Sequence, residues 1–90
     1  MEEAKRVNND KFKGIILHNL GNLEKERGNY IKALEYLDEG YEIRKKVGDK
    51  RNLAYQYSIY GSTYEFMGHL DLALSNRNLS VKMFSDIGMN

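Results

Sequence analysis

A shift of 40 residues lays this chain over itself, and that period constrains the fold more than any other feature of the sequence. Gly21 falls on Gly61, Gly28 on Gly68, Ala33 on Ala73, Leu34 on Leu74 and Gly48 on Gly88. The variable positions keep their character: Leu20 meets Tyr60, Tyr30 meets Leu70, Tyr41 meets Val81, Ile43 meets Met83 and Val47 meets Ile87. A fixed period of this length marks a repeat architecture, in which a unit buries its apolar edge against its neighbour. Run backwards, the shift sets Lys5-Arg6-Val7-Asn8-Asn9 on Lys45-Lys46-Val47-Gly48-Asp49. Residues 1–13 therefore read as the tail of a preceding repeat with its connection, 14–53 as one repeat and 54–90 as a second.

Each period divides into two helical segments, because apolar residues recur at spacings of three and four and do not alternate. Phe12, Ile16, Leu20 and Leu23 mark the first, with Leu17 beside them, and Gly28-Asn29 offers a left-handed stop. The second is predicted over Tyr30 to Val47, with Tyr30, Ala33, Leu34, Leu37 and Tyr41 on one stripe. Its acids, Glu35, Asp38, Glu39 and Glu42, precede Arg44, Lys45 and Lys46, the order that suits the helix dipole. Gly48-Asp49 is the next stop, and two further helices are predicted over Asn52 to Met67 and Leu70 to Ile87. Gly21 facing Ala33, and Gly61 facing Ala73, would let the two backbones of each hairpin approach closely. The predicted fold is all-α: antiparallel helical hairpins stacked as an α-solenoid.

The inventory of side chains excludes much chemistry. No cysteine is present among the 90 residues, so a disulfide framework, a thiolate zinc site and a thiol nucleophile are excluded. A cysteine-free chain reads as intracellular, and we expect a cytoplasmic protein. His18 and His69 are the two histidines, without a ligand partner at metal spacing, so no metal and no cofactor is expected. No nucleophile elbow or clustered phosphate loop is legible, and no enzyme activity is expected. Lys and Arg number 14 against 13 Asp and Glu, which leaves no concentrated basic excess for nucleic acid. The set Arg44-Lys45-Lys46 with Lys50-Arg51 is the best candidate for an anion contact, and reads more simply as a solvated helix end. The strongest apolar run, Ile15-Ile16-Leu17, is broken at once by His18, so neither a signal peptide nor a membrane span is expected.

The stretch Asn19-Leu20-Gly21, Gly28, Tyr30, Ala33-Leu34-Glu35-Tyr36 and Ile43-Arg44-Lys45 through Gly48-Asp49-Lys50 resembles the longer-period form of the tetratricopeptide repeat. Tyr60-Gly61, Tyr64, Gly68, Ala73-Leu74 and Gly88 repeat the resemblance with less fidelity. Three features depart from it. Glu24 stands where an aromatic or apolar residue is usual, Arg77 where the first unit has Leu37, and Gly40 and Ser80 where alanine is usual.

The resemblance implies a right-handed superhelix whose inner wall is built from the first helix of each repeat and binds a peptide or helix of a partner protein. Carried over by position, that wall is Ile15, His18, Asn19, Asn22, Lys25 and Glu26 in the first unit. Its equivalents in the second are Tyr55, Ser58, Ile59, Ser62, Glu65 and Phe66. Helical spacing agrees, because 15, 18, 22 and 25 or 26 fall on a stripe distinct from that of Leu20 and Gly21. The resemblance gives Asn19 and Asn22 the task of holding a partner's main chain, for which an amide has both donor and acceptor. The alternative for these amides is bonding to their own neighbours or to water. A terminal-carboxylate clamp is not expected, since Lys25 and His18 are the basic groups at hand.

Two functions stay open from the sequence. One is a protein-interaction module within a larger scaffold or regulatory protein. The other is a structural module that forms a homodimer or higher oligomer through exposed repeat edges, with Phe12 and Ile16 at one end and Leu79, Met83 and Ile87 at the other.

Overall fold

The computed structural model describes residues 2–88, with side-chain surroundings from Asn9 onward. Four α-helices follow one another: α1 Glu2–Glu26, α2 Tyr30–Val47, α3 Lys50–Met67 and α4 Leu70–Asp86. No strand occurs among the described residues. Helices α1 and α2 pack as one hairpin and α3 and α4 as a second; α3 then lies on α2 and touches α1, while α2 and α4 do not meet.

The turns follow from glycine placed every half period. Gly28, Gly48, Gly68 and Gly88 all have φ between 79° and 85°, the left-handed region that costs other residues energy. At the first three turns the backbone closes the same way. Asn29, Asp49 and His69 donate N–H to the carbonyls of Glu24, Arg44 and Tyr64, and the preceding glycine donates to Lys25, Lys45 and Glu65. This pairing satisfies carbonyls that a helix end otherwise leaves open. Asp49 also caps α3, its carboxylate accepting from the Asn52 N–H at 3.3 Å.

The expected connection within residues 1–13 is not a break in the helix: α1 is continuous from Glu2 through Glu26. Asn8 stands where the other stops have glycine, and asparagine pays a steric penalty in the left-handed region that glycine escapes, so the helix runs on. The remaining helix bounds lie within two residues of expectation.

Small residues set the spacing within each hairpin. A Cβ added to Gly21 would sit 2.8 Å from the Cγ and Cδ2 of fully buried Leu37 and 3.3 Å from the Ala33 carbonyl. Gly61 repeats the contact against the Ala73 carbonyl and the Cγ of Arg77. Arg77 thus replaces a leucine by laying its methylenes over Gly61, while its guanidinium reaches out to Glu65 at 2.8 Å. Gly40 also gains a reason: a Cβ there would press on Leu17 at 3.3 Å and approach the Gln56 amide. Ser80 donates its buried hydroxyl to the Ala54 carbonyl at 2.8 Å, tying α4 to α3.

Gly21→Ala tests this spacing. Alanine improves helix propensity by ~1 kcal/mol, yet overpacking against Leu37 should cost about 1–3 kcal/mol, and the urea midpoint should fall. Gly61→Ala should lower the midpoint as well, because a Cβ there would meet the Arg77 Cγ at 2.7 Å and the Ala73 carbonyl at 3.2 Å.

Candidate protein-interaction face

The joint between the hairpins positions everything else, and its interior is polar. Gln56 and Thr63 are fully buried, and Arg44 is 5% exposed. The Arg44 guanidinium reaches from α2 to both neighbours, donating to His18 Nδ1 of α1 at 2.8 Å, Gln56 Oε1 of α3 at 3.0 Å and the Asn52 carbonyl at 3.2 Å. The Gln56 amide donates in turn to the Leu37 carbonyl, and Thr63 donates to the Ile59 carbonyl of its own helix at 2.8 Å. Gly14 leaves room for the arginine, whose Cγ lies 3.3 Å from where a Cβ would be. Burial lowers the pKa of Arg44, partly opposed by the Asp49 carboxylate. Arginine stays charged regardless.

The expected solvated helix end therefore does not hold for Arg44, and the candidate anion contact at Arg44-Lys45-Lys46 with Lys50-Arg51 loses its first member to the core. Since an arginine can only donate, His18 must accept through a neutral Nδ1. Burial, and then the Arg44 charge, hold its pKa down at about 4. His69 is elsewhere, its ring edge-on to Tyr64 at 6.2 Å.

Around this joint the twelve wall positions divide. Ile15, Asn19 and Glu26 are exposed on α1, and Asn22 and Lys25 are half-buried. On α3, Tyr55, Ser58, Glu65 and Phe66 are exposed, and Ile59 and Ser62 half-buried. Several are engaged within the fold. His18 is bound to Arg44, and Glu65 is drawn to Arg77 on the α4 side. Tyr55 packs edge-on against Phe84 at 4.9 Å, and Phe66, 64% exposed, stacks on Tyr30 of α2 at 6.1 Å. Ile15, Asn19, Asn22 and Glu26 share one stripe of α1, as do Tyr55, Ile59, Ser62 and Phe66 on α3. Glu24, the acid at an apolar position, is buried and accepts from the Asn29 amide at 2.9 Å and from Arg27 at 3.2 Å. The Asn29 bond, followed by nearby cations, holds its carboxyl below the usual range.

Arg44, Gln56 and Thr63 were not legible as a site from the period alone. A signal existed, however: the 40-residue shift maps Phe12, Ile16 and Leu23 onto Asn52, Gln56 and Thr63, an apolar stripe turned polar.

Paired antiparallel helices with small residues at their contacts, glycine turns at half periods and one hairpin's first helix laid on the hairpin before it define a helical-hairpin repeat protein. A family model described as Tetratricopeptide repeat matches residues 13–86, and the chain belongs to that family. Repeats of this family are non-catalytic and mediate protein–protein interaction. Comparison with curated proteins and with solved structures gives no match. Among the described residues no helix is long and apolar enough to cross a membrane.

The state of His18 gives a pH prediction. Its folded pKa of about 4 lies below the unfolded 6.5, so the unfolded chain binds more protons between those values. Stability from this group is complete above pH 6.5 and is lost as pH falls toward 4. His18→Gln, which keeps an acceptor for Arg44, should flatten stability between pH 6.5 and 5, measured by urea unfolding; equal slopes would show that His18 is not the titrating group.

Proposed function

We propose that the chain is a protein-interaction module that binds an extended or helical segment of a partner protein along the stripe shared by α1 and α3, within a larger cytoplasmic scaffold or regulatory protein. The observation that carries this reading is the alignment of Ile15, Asn19, Asn22 and Glu26 with Tyr55, Ile59, Ser62 and Phe66 on adjacent first helices, all half-buried or exposed, with Tyr55 braced by Phe84 of α4 and Phe66 by Tyr30 of α2. Amides and hydroxyls set among aliphatic and aromatic groups satisfy a peptide backbone while burying its side chains. The lack of cysteine supports the cytoplasmic assignment. The near balance of charge favours a protein over a nucleic acid as the partner.

A peptide selected on this chain from a displayed library tests the reading. Asn22→Ala should weaken its binding by about 1–3 kcal/mol if a buried partner group loses its mate, and Phe66→Ala should weaken it too. Glu39→Ala, on an exposed part of α2 away from the wall, should change little. Equal losses from all three would place the site elsewhere.

A second reading, self-assembly through repeat edges, has its own observation. Phe12, Ile16 and Leu23 are exposed on α1, Phe12 by 67%, at the positions whose equivalents on α3 are packed against hairpin one. A second copy could supply the same cover, and apolar burial of ~25 cal/mol per Å² makes a few hundred Å² consequential for a small domain. Sedimentation at micromolar concentration should then give a concentration-dependent mass that Phe12→Lys with Ile16→Glu reduces to the monomer. A monomer at all concentrations overturns self-assembly and leaves the first reading intact.

A further inference from the structure

Opposite the wall, α2 and α4 stand apart over α3 and leave a cleft of about 280 Å³. Its floor is three tyrosines of α3: Tyr57, Tyr60 and Tyr64. Tyr57 and Tyr64 are seven residues apart, and each lies two residues along from a wall position, Tyr55 or Ser62. Two residues turn an α-helix by about 200°, so the floor faces away from the wall. Asp38 and Tyr41 form the α2 side, Leu72 and Asn76 the α4 side.

The hydroxyls in the cleft are organised by one another. Tyr57 donates to the Tyr41 hydroxyl at 3.1 Å, and Tyr60 donates to Asp38 Oδ1 at 2.5 Å. Burial, with the Tyr41 bond second, pushes the Tyr57 phenol up to about 12, and burial with Asp38 raises that of Tyr60, so these groups remain neutral donors. Tyr60 and Tyr64 lie nearly parallel with centroids 6.3 Å apart, and Tyr57 meets Tyr41 edge-on at 5.8 Å. The second carboxylate oxygen of exposed Asp38 is available beside these rings.

Charge at the rim favours a cation. Glu35 and Glu42, both exposed, lie three and four residues from Asp38, on the same side of α2. The two cleft residues of α4, Leu72 and Asn76, bring no charge, and the Asn76 amide donates to the Leu72 carbonyl at 2.8 Å. At one end Lys45, its ammonium 6.0 Å from the centre of the Tyr41 ring, offsets one of the three carboxylates at 35, 38 and 42, which leaves this side of α2 net acidic.

We propose that this tyrosine cleft binds an arginine side chain of a partner protein. Arginine is favoured over lysine because its guanidinium is planar, stacks on aromatic faces and presents a fork of donors to a carboxylate. Asp38 takes the fork, the tyrosine rings take the flat face, and Leu72 covers the methylenes. The cleft and the wall are separate, so a partner holding both would clasp α3 from two sides.

The test uses acetyl-Gly-Arg-Gly-amide as the probe, with lysine and citrulline versions as controls, followed by NMR of the tyrosine ring protons. The arginine probe should give saturable shifts at Tyr57 and Tyr64 in the millimolar range. The citrulline probe, which keeps the shape and loses the charge, should bind on the order of tenfold more weakly, and the lysine probe measurably more weakly than arginine. Asp38→Asn keeps an acceptor for Tyr60 and should weaken arginine binding by a similar factor. Glu35→Gln with Glu42→Gln touches none of these bonds and should weaken it ~2-fold at low salt, which decides the matter if Asp38→Asn unfolds. Asn22→Ala should leave the shifts unchanged. No saturable shift, citrulline or lysine binding as well as arginine, or binding unaffected by the acidic variants overturns the proposal; loss of the shifts in Asn22→Ala assigns the probe to the wall and also overturns it.

Discussion

The structure depends on burying one arginine between three helices. Removing a guanidinium from water is costly unless it is hydrogen-bonded, and the two N–H groups of Arg44 Nη1 are shared among an imidazole nitrogen, an amide oxygen and a backbone carbonyl drawn from α1 and α3. None of the three is a carboxylate, so the joint relies on hydrogen-bond geometry more than on ion pairing. A network of this kind tolerates few arrangements, because any shift of α3 leaves a buried donor or acceptor unmet. No buried side-chain polar atom among the described residues lacks a partner. An apolar joint would supply cohesion with less register, since aliphatic surfaces can slide.

That register fixes both faces of α3. With Gln56 held beneath the Leu37 carbonyl and Tyr60 against Asp38, the stripe of Tyr55, Ile59, Ser62 and Phe66 is turned one way and the tyrosines at 57 and 64 the other. The proposed wall and the proposed arginine cleft both follow from one docking angle. Substitutions in the joint should accordingly be read as perturbing both surfaces at once, whereas changes at Asn22 or Asp38 act on one.

The two hairpins also differ in how they use equivalent positions. Leu37 fills the space against Gly21 in the first, and in the second the methylenes of Arg77 do so while its charge meets Glu65 at the surface. Arg44 of the first hairpin corresponds to Phe84 of the second, where the partner is the ring of Tyr55. Polar in one unit and aromatic in the other, the repeat keeps its backbone spacing because that is set by Gly21, Ala33, Gly61 and Ala73.

What the sequence determined by itself was the local structure and the period. Helix lengths, glycine turns and close-packed small residues depend on neighbours within one hairpin, and those constraints are written at short spacings that the 40-residue shift makes plain. It also determined the helical stripes on which the proposed wall residues fall, since residues on one face of a helix follow from 3.6 residues per turn. It did not reveal that Asn8 would let α1 run on, because the cost of the left-handed turn is a matter of degree. The tertiary structure alone decided that Arg44 leaves the solvated helix end for the core, that His18 turns to it, and that four tyrosines and Asp38 from two helices meet in one cleft. Each of these requires groups from different helices to satisfy one another, with up to 26 residues between His18 and Arg44, and a one-dimensional pattern carries no distance between such residues until the helices have packed.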